Sequence, residues 1–214
     1  MLETTTPTMR PAYTPGRDRR LTPERQVPIA RGSTLRSTLD FVTAASGPAR
    51  AEAALARLAP EDRARVAAAG MTDEVPLSLA LALWHAVDAE IGRDDPAWVE
   101  RAGALSIDAY GAQLYGGILR KASPLEFLTQ SVSLFRLYYQ PGDMHVMDAG
   151  PGHALLRLVG FGAADALFCR RQTGGLGRAI VLAGGVAPRV RHVRCEVQGD
   201  AFCEWELKWS SGAE

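Results

Sequence analysis

The sequence predicts an α+β domain in which N-terminal helices pack on a small antiparallel sheet that ends in a β-hairpin. Three observations predict it. From about residue 33 to residue 140, apolar side chains recur at helical spacing between glycine and proline boundaries. After Pro141-Gly142 the period shortens, with strand-like runs at residues 144–148 and 154–161 joined by Gly150-Pro151-Gly152. Finally, residues 189–198 and 202–209 alternate apolar and polar on either side of Gly199-Asp200, following one more helical stretch from Ala163.

The bulk properties set the frame. At 214 residues, with 47% apolar and 22% charged residues, the chain can bury one sizeable core. A formal net charge of zero gives no general pull toward nucleic acid or an anionic membrane. Residues 1–30 are rich in Thr, Pro and Arg, without an apolar segment, and read as a flexible tail rather than a secretory signal. No later run is long enough for a membrane span. Three cysteines without a signal peptide fit a reduced, cytoplasmic setting.

The elements follow in order. Residues 31–75 read as an N-terminal helical extension: Ser33 or Thr34 starts a helix that Gly47 ends, Pro48 starts an Ala-rich turn, and Pro60 with Glu61 and Asp62 opens a third that Gly70 stops. Residues 76–210 read as the body of the domain. Pro76 starts a helix carrying Leu77, Leu81, Trp84 and Val87, closed by Gly92. Asp95-Pro96 leads a long helical stretch toward Lys121, with stripes on two faces. Ser123-Pro124-Leu125-Glu126 is a capping box with proline at the first helical position. Gly174-Gly175 is expected to interrupt the helix that begins near Ala163.

The terminal hairpin carries a register prediction. Val193, Cys195 and Val197 alternate with polar residues in one strand; Cys203, Trp205, Leu207 and Trp209 do so in the other. Both sets can face inward only if paired residue numbers sum to an even value, so an odd-length loop or a bulge near Gly199 is expected. Cys195 and Cys203 are then neighbours. His192 has the opposite parity and joins them only if its strand bends, for which Pro188 is the candidate. With Cys169 on the preceding helix, Cys169, His192, Cys195 and Cys203 offer four ligands, the number a closed zinc site needs. The plain alternative is three small buried hydrophobes.

The stretch Val193-Arg194-Cys195-Glu196-Val197-Gln198-Gly199-Asp200-Ala201-Phe202-Cys203-Glu204-Trp205-Glu206 resembles the ending of 4-vinyl-reductase-type domains. These share an α+β superfamily with haem–nitric-oxide-binding proteins and the TRAPP trafficking subunits. The order of elements matches over about residues 75–210. The resemblance implies zinc, held in the family's aromatic sensors by a helix cysteine, a carboxylate and two hairpin cysteines. Here the carboxylate position falls at His192, which keeps a competent ligand and changes the site's charge.

The same resemblance implies a cavity for a small hydrophobic ligand between helices and sheet. Trp84, Trp98, Tyr110, Tyr115, Phe127 and Phe135 are candidates to line it, with Tyr139 beside them. It also implies a homodimer through the helices. Haem is not expected, because the Tyr-x-Ser-x-Arg signature is absent and His85 is a lone helix histidine. Gly174-Gly175-Leu176-Gly177 matches no phosphate-binding loop, and no nucleophile–base pair is suggested. The expected function is therefore a non-enzymatic, zinc-stabilised sensing or regulatory domain that signals through a partner protein. A ligand-free, TRAPP-like interaction adaptor is the alternative.

Overall fold

The computed structural model describes residues 27–111, 123–130, 134–163 and 165–211. Helices α1 (Ser33–Ser46), α2 (Pro48–Ala56), α3 (Pro60–Ala68), α4 (Leu77–Ile91) and α5 (Trp98–Leu105) come first. A π-helical turn at Ser106–Gly111 extends α5, and the short helices α6 (Pro124–Gln130) and α7 (Leu134–Tyr138) follow. The long helix α8 (Ala166–Leu182) lies between the two strand pairs.

A four-stranded antiparallel sheet is ordered β4 (Asp143–Gly150), β5 (His153–Val159), β7 (Cys203–Ser211), β6 (Gly185–Arg194). A smaller sheet joins β1 (Ile29–Arg31) to β2 (Glu74–Pro76) and β3 (Tyr139–Gln140). The α+β prediction holds, helices before the main sheet and a hairpin at its end.

Local signals account for many boundaries. Ser123 Oγ accepts from the Glu126 amide at 3.1 Å, the N-cap that the sequence announces. Asp165 caps α8 by accepting from the amides of Leu167 at 2.8 Å and Phe168 at 3.3 Å. Gly47 ends α1 with a φ of 87°, beyond which Pro48 opens α2.

One apolar core runs through the helices and onto the sheet. It includes Leu35, Val42, Leu83, Trp84 and Trp98 from the helices, with Leu156, Leu158, Trp205 and Leu207 from the strands.

Four expectations change. Ile29 and Ala30, at the end of the stretch read as tail, are strand residues paired with Pro76 and Val75. The helix expected from Asp95 starts at Trp98 and widens into the π turn at Ser106; its continuation toward Lys121 lies outside the described residues. Tyr139 leaves the helical stretch for β3, where it pairs with Ala30.

Finally, α8 is not interrupted at Gly174-Gly175. Its glycines let two helices touch. A Cβ at Gly174 would run into the Glu100 carbonyl oxygen of α5, and one at Gly103 into the Arg171 carbonyl oxygen of α8. Close backbone packing, which no local propensity records, keeps the glycines helical.

Candidate functional site: a cysteine–histidine cluster and an aromatic cavity

The cluster forms where α8 meets the terminal hairpin. Cys169 sits in the first turn of α8 and faces Cys203 at the start of β7, with 3.7 Å between their sulfurs. Cys195 follows β6, where Asp200 folds back to accept from its amide at 2.7 Å. Gly199, at a φ of 95°, allows that tight return.

His192 arrives by a route the parity argument placed elsewhere. Its pairing with Trp205, and every pairing from Arg189 to His192, has an odd sum; Arg194 pairs with Glu204, an even one. The even sum is the odd-length loop expected here, residues 195–203, and it leaves Cys195 and Cys203 both buried. Val193 is an extra residue that the sequence did not announce, a bulge that reverses the phase of β6 before it. The bulge turns Val193 outward, 40% exposed, and Val197 is also exposed. The same bulge puts His192 on the inner face, stacked on Trp205 at 4.5 Å.

All four ligand atoms, from Cys169, His192, Cys195 and Cys203, lie within 4.8 Å of one another. Metal–sulfur bonds of about 2.3 Å and metal–nitrogen bonds of about 2.0 Å can span such a group. His192 Nε2 is buried without a hydrogen bond. The thiols act as a pair: Cys169 donates to Cys203, which lowers the Cys203 pKa and raises that of Cys169. The His192 ring and the Glu196 amide, 3.4 Å from the Cys203 sulfur, also favour a thiolate there. Geometry and charge both suit a cation.

A second feature lies between helices and sheet. A cavity of about 90 Å³ is walled by Gly103, Ser106 and Ile107, by Phe127 and Leu128, and by Phe135, Tyr138 and Tyr139. Met144 and Leu156 close it from the sheet; Arg171, Gln172, Gly175, Leu176 and Ala179 close it from α8. Phe135 and Tyr139 belong to an aromatic group with Phe161 and Phe168, which stack at 4.5 Å.

The expected lining residues divide. Phe127 and Phe135, with Tyr139, stand on this wall. Trp84 and Trp98 are fully buried core residues off it, their indoles donating to Thr38 Oγ1 at 3.1 Å and Asp88 Oδ1 at 2.8 Å. Tyr110 donates to Asp40 of α1, and burial together with that carboxylate pushes its phenol up to about 12. Tyr115 lies outside the described residues.

The sequence reading missed Arg171. It is 2% exposed, its Nη2 donates to Ser37 Oγ at 2.7 Å, and its guanidinium lies 5.1 Å from the centre of the Trp84 ring. The signal was present: Arg171 stands three or four residues after Leu167 and Phe168, on the apolar stripe of α8 that Ala179 continues.

No known family profile matches the chain, and no curated protein does. Solved structures are similar in fold. An Fe(II) unliganded H-NOX protein from K. algicida is 11% identical, with a TM-score of 0.65 covering 86% of this chain and 98% of that one. A mutant H-NOX protein from S. oneidensis in the Fe(II) ligation state is 15% identical, with the same TM-score and coverages. A third, from work on heme distortion in the H-NOX family, is 9% identical with a TM-score of 0.60, covering 86% and 97%.

This likeness corrects the expected cofactor. The group named with these structures is haem iron, not zinc. The residues present do not suit a haem. The chain has four histidines, and none lines the cavity. His85 is exposed on α4 and bonded to Asp165 at 2.9 Å; His145 and His153 lie on β4 and β5, near Asp143 and Asp148; His192 belongs to the cysteine cluster. All three cysteines are in that cluster too. Pockets for drug-sized ligands run to about 300–1,000 Å³, against about 90 Å³ here for a macrocycle larger than most of them. The cavity does not fit a haem. The comparisons therefore establish an H-NOX-like fold, whose central cavity in this chain is small, aromatic and free of imidazole.

Proposed function

We propose that this chain is a non-enzymatic small-molecule-sensing domain, which binds a small, largely apolar ligand between helices and sheet and signals through a partner protein. The observation that carries this reading is the cavity of about 90 Å³, walled by Phe127, Leu128, Phe135, Met144 and Leu176. Its walls come from α5 and its π turn, α6, α7, α8 and three strands. A ligand there touches most of the elements whose packing a partner could read. An S. oneidensis H-NOX protein of similar fold, solved in the Fe(II)NO ligation state, supports this reading.

Apolar cavities of about 150 Å³ take up benzene or xenon, so xenon NMR on the full chain, with benzene titration beside it, probes the space directly. Xenon is expected to bind, and Ala179→Leu, which grows into the cavity from α8, to abolish that signal while the protein stays folded. A wild-type chain that takes up neither probe overturns the ligand reading and leaves the adaptor.

We further propose that Cys169, His192, Cys195 and Cys203 ligate one metal ion, which pins α8 to the terminal hairpin. Elemental analysis of the purified chain is expected to find one bound ion, lost in Cys203→Ser together with thermal stability. A metal-free chain that melts unchanged with all three cysteines replaced by serine removes that role.

A further inference from the structure

Arg171 is buried, yet among the described residues no carboxylate faces it. Among the described residues it forms no ion pair, and its Nη1 is buried without a hydrogen bond. Its neighbours are the Ser37 hydroxyl, the Trp84 ring and the Tyr138 and Tyr139 side chains. The internal stretches 112–122 and 131–133 contain no Asp or Glu in sequence. Burial lowers the Arg171 pKa, with Tyr139 opposing the shift, but a guanidinium keeps its proton in proteins. An unpaired buried cation costs several kcal/mol, so arginines are almost never fully buried without a partner.

Adjacent Arg170 shows the ordinary solution. It forks onto Glu100, with 2.7 Å and 2.8 Å contacts to the two carboxylate oxygens. Arg171 instead forms part of the wall of the cavity, beside Tyr139. What the guanidinium lacks among the described residues is an anion, and the cavity is the open space beside it. The rest of the wall is aromatic or aliphatic except for Ser106, Gln172 and the tyrosines. So few polar groups suit a single negative charge on an apolar body better than a dianion.

We infer that the cavity binds a small carboxylic acid as its anion, the carboxylate pairing with Arg171 and the apolar body resting on Phe127, Leu128, Phe135, Met144 and Leu176. The inference rests on the cavity being a ligand site and names that ligand's chemical class.

The test compares acids with their amides. Butyrate, hexanoate and benzoate, and butyramide, hexanamide and benzamide, are titrated into the full chain at neutral pH. Binding is read by calorimetry and by the fluorescence of Trp84, whose ring faces the guanidinium. Each acid that binds is expected to do so roughly tenfold or more tightly than its amide, the scale of one charge-assisted hydrogen bond. Arg171→Met should remove that preference while leaving amide binding within about twofold, and Arg171→Lys should keep it.

Equal binding of acid and amide by the wild type overturns the anion and leaves the pocket standing. That same result follows if a carboxylate of the chain itself already occupies the guanidinium. Binding of neither series, with xenon also excluded, overturns the pocket and this inference together. The wild-type comparison decides the question even if the Arg171 variants do not fold.

Discussion

Replacing Trp205 with alanine is expected to cost about 3–5 kcal/mol of stability, the range for removing a buried aromatic side chain. Trp205 is fully buried near the start of β7, the strand that pairs with both β5 and β6. It stands opposite Leu156 on one side and His192 on the other. Its indole nitrogen donates to Thr173 Oγ1 at 3.0 Å, and that hydroxyl donates to the Cys169 carbonyl at 3.0 Å. The ring also seats His192 at 4.5 Å. One side chain thus ties sheet to helix and sets the imidazole among the thiols. Trp205→Phe keeps a ring on His192 but loses the bond to Thr173, worth about 0.5–1.5 kcal/mol, along with some volume. It should fall between wild type and alanine. Urea unfolding measures all three, and an alanine variant within about 1 kcal/mol of wild type would contradict the role assigned to this ring.

How much of this was legible follows from where the controlling forces lie. Cys203, Trp205 and Leu207 alternate on one strand, and all are buried, because a period of two is fixed by the strand itself. The partner strand could not be read the same way. Its phase is reversed by a bulge at Val193, and pairing alone fixes where a bulge sits. The parity conflict made the odd-length loop between Arg194 and Glu204 legible, but nothing in it announced the bulge. Caps such as Ser123 were legible because they act within three residues. The small sheet was not, since two or three residues at positions 29, 74 and 139 leave no period to detect. The large aromatics Trp84 and Trp98 were natural guesses for a pocket, but complete burial gives them to the core. The cavity wall instead gathers residues from across the chain, and its charged member sits beside another arginine that masks it in sequence.

Substituting valine for Gly174 is expected to destabilise the fold by about 3 kcal/mol, the upper part of the usual range for overpacking. The sign is not obvious from helix propensity, which favours alanine over glycine by about 1 kcal/mol in a helix interior. Two other terms oppose it. A Cβ at Gly174 meets the Glu100 carbonyl, a backbone atom that cannot swing aside. Relief requires α5 and α8 to separate, and the reciprocal contact of Gly103 with the Arg171 carbonyl opens with them. Gly177, in the same helix, supplies the control: its added Cβ would lie 3.6 Å from Val190 Cγ2, an ordinary contact. Gly177→Ala should therefore stabilise the protein by up to about 1 kcal/mol, and Gly174→Ala should destabilise it despite identical propensity. Opposite signs for the two alanines in denaturant unfolding would identify helix contact as the cause; a stabilising Gly174→Ala would refute it. The separation also reaches the cavity, because Gly103, Ser106 and Ile107 line it from one helix and Arg171, Gly175 and Leu176 from the other. Gly174→Ala should accordingly weaken xenon uptake while Gly177→Ala leaves it intact, so that the crossing which holds the fold together also sets the width of the space inside it.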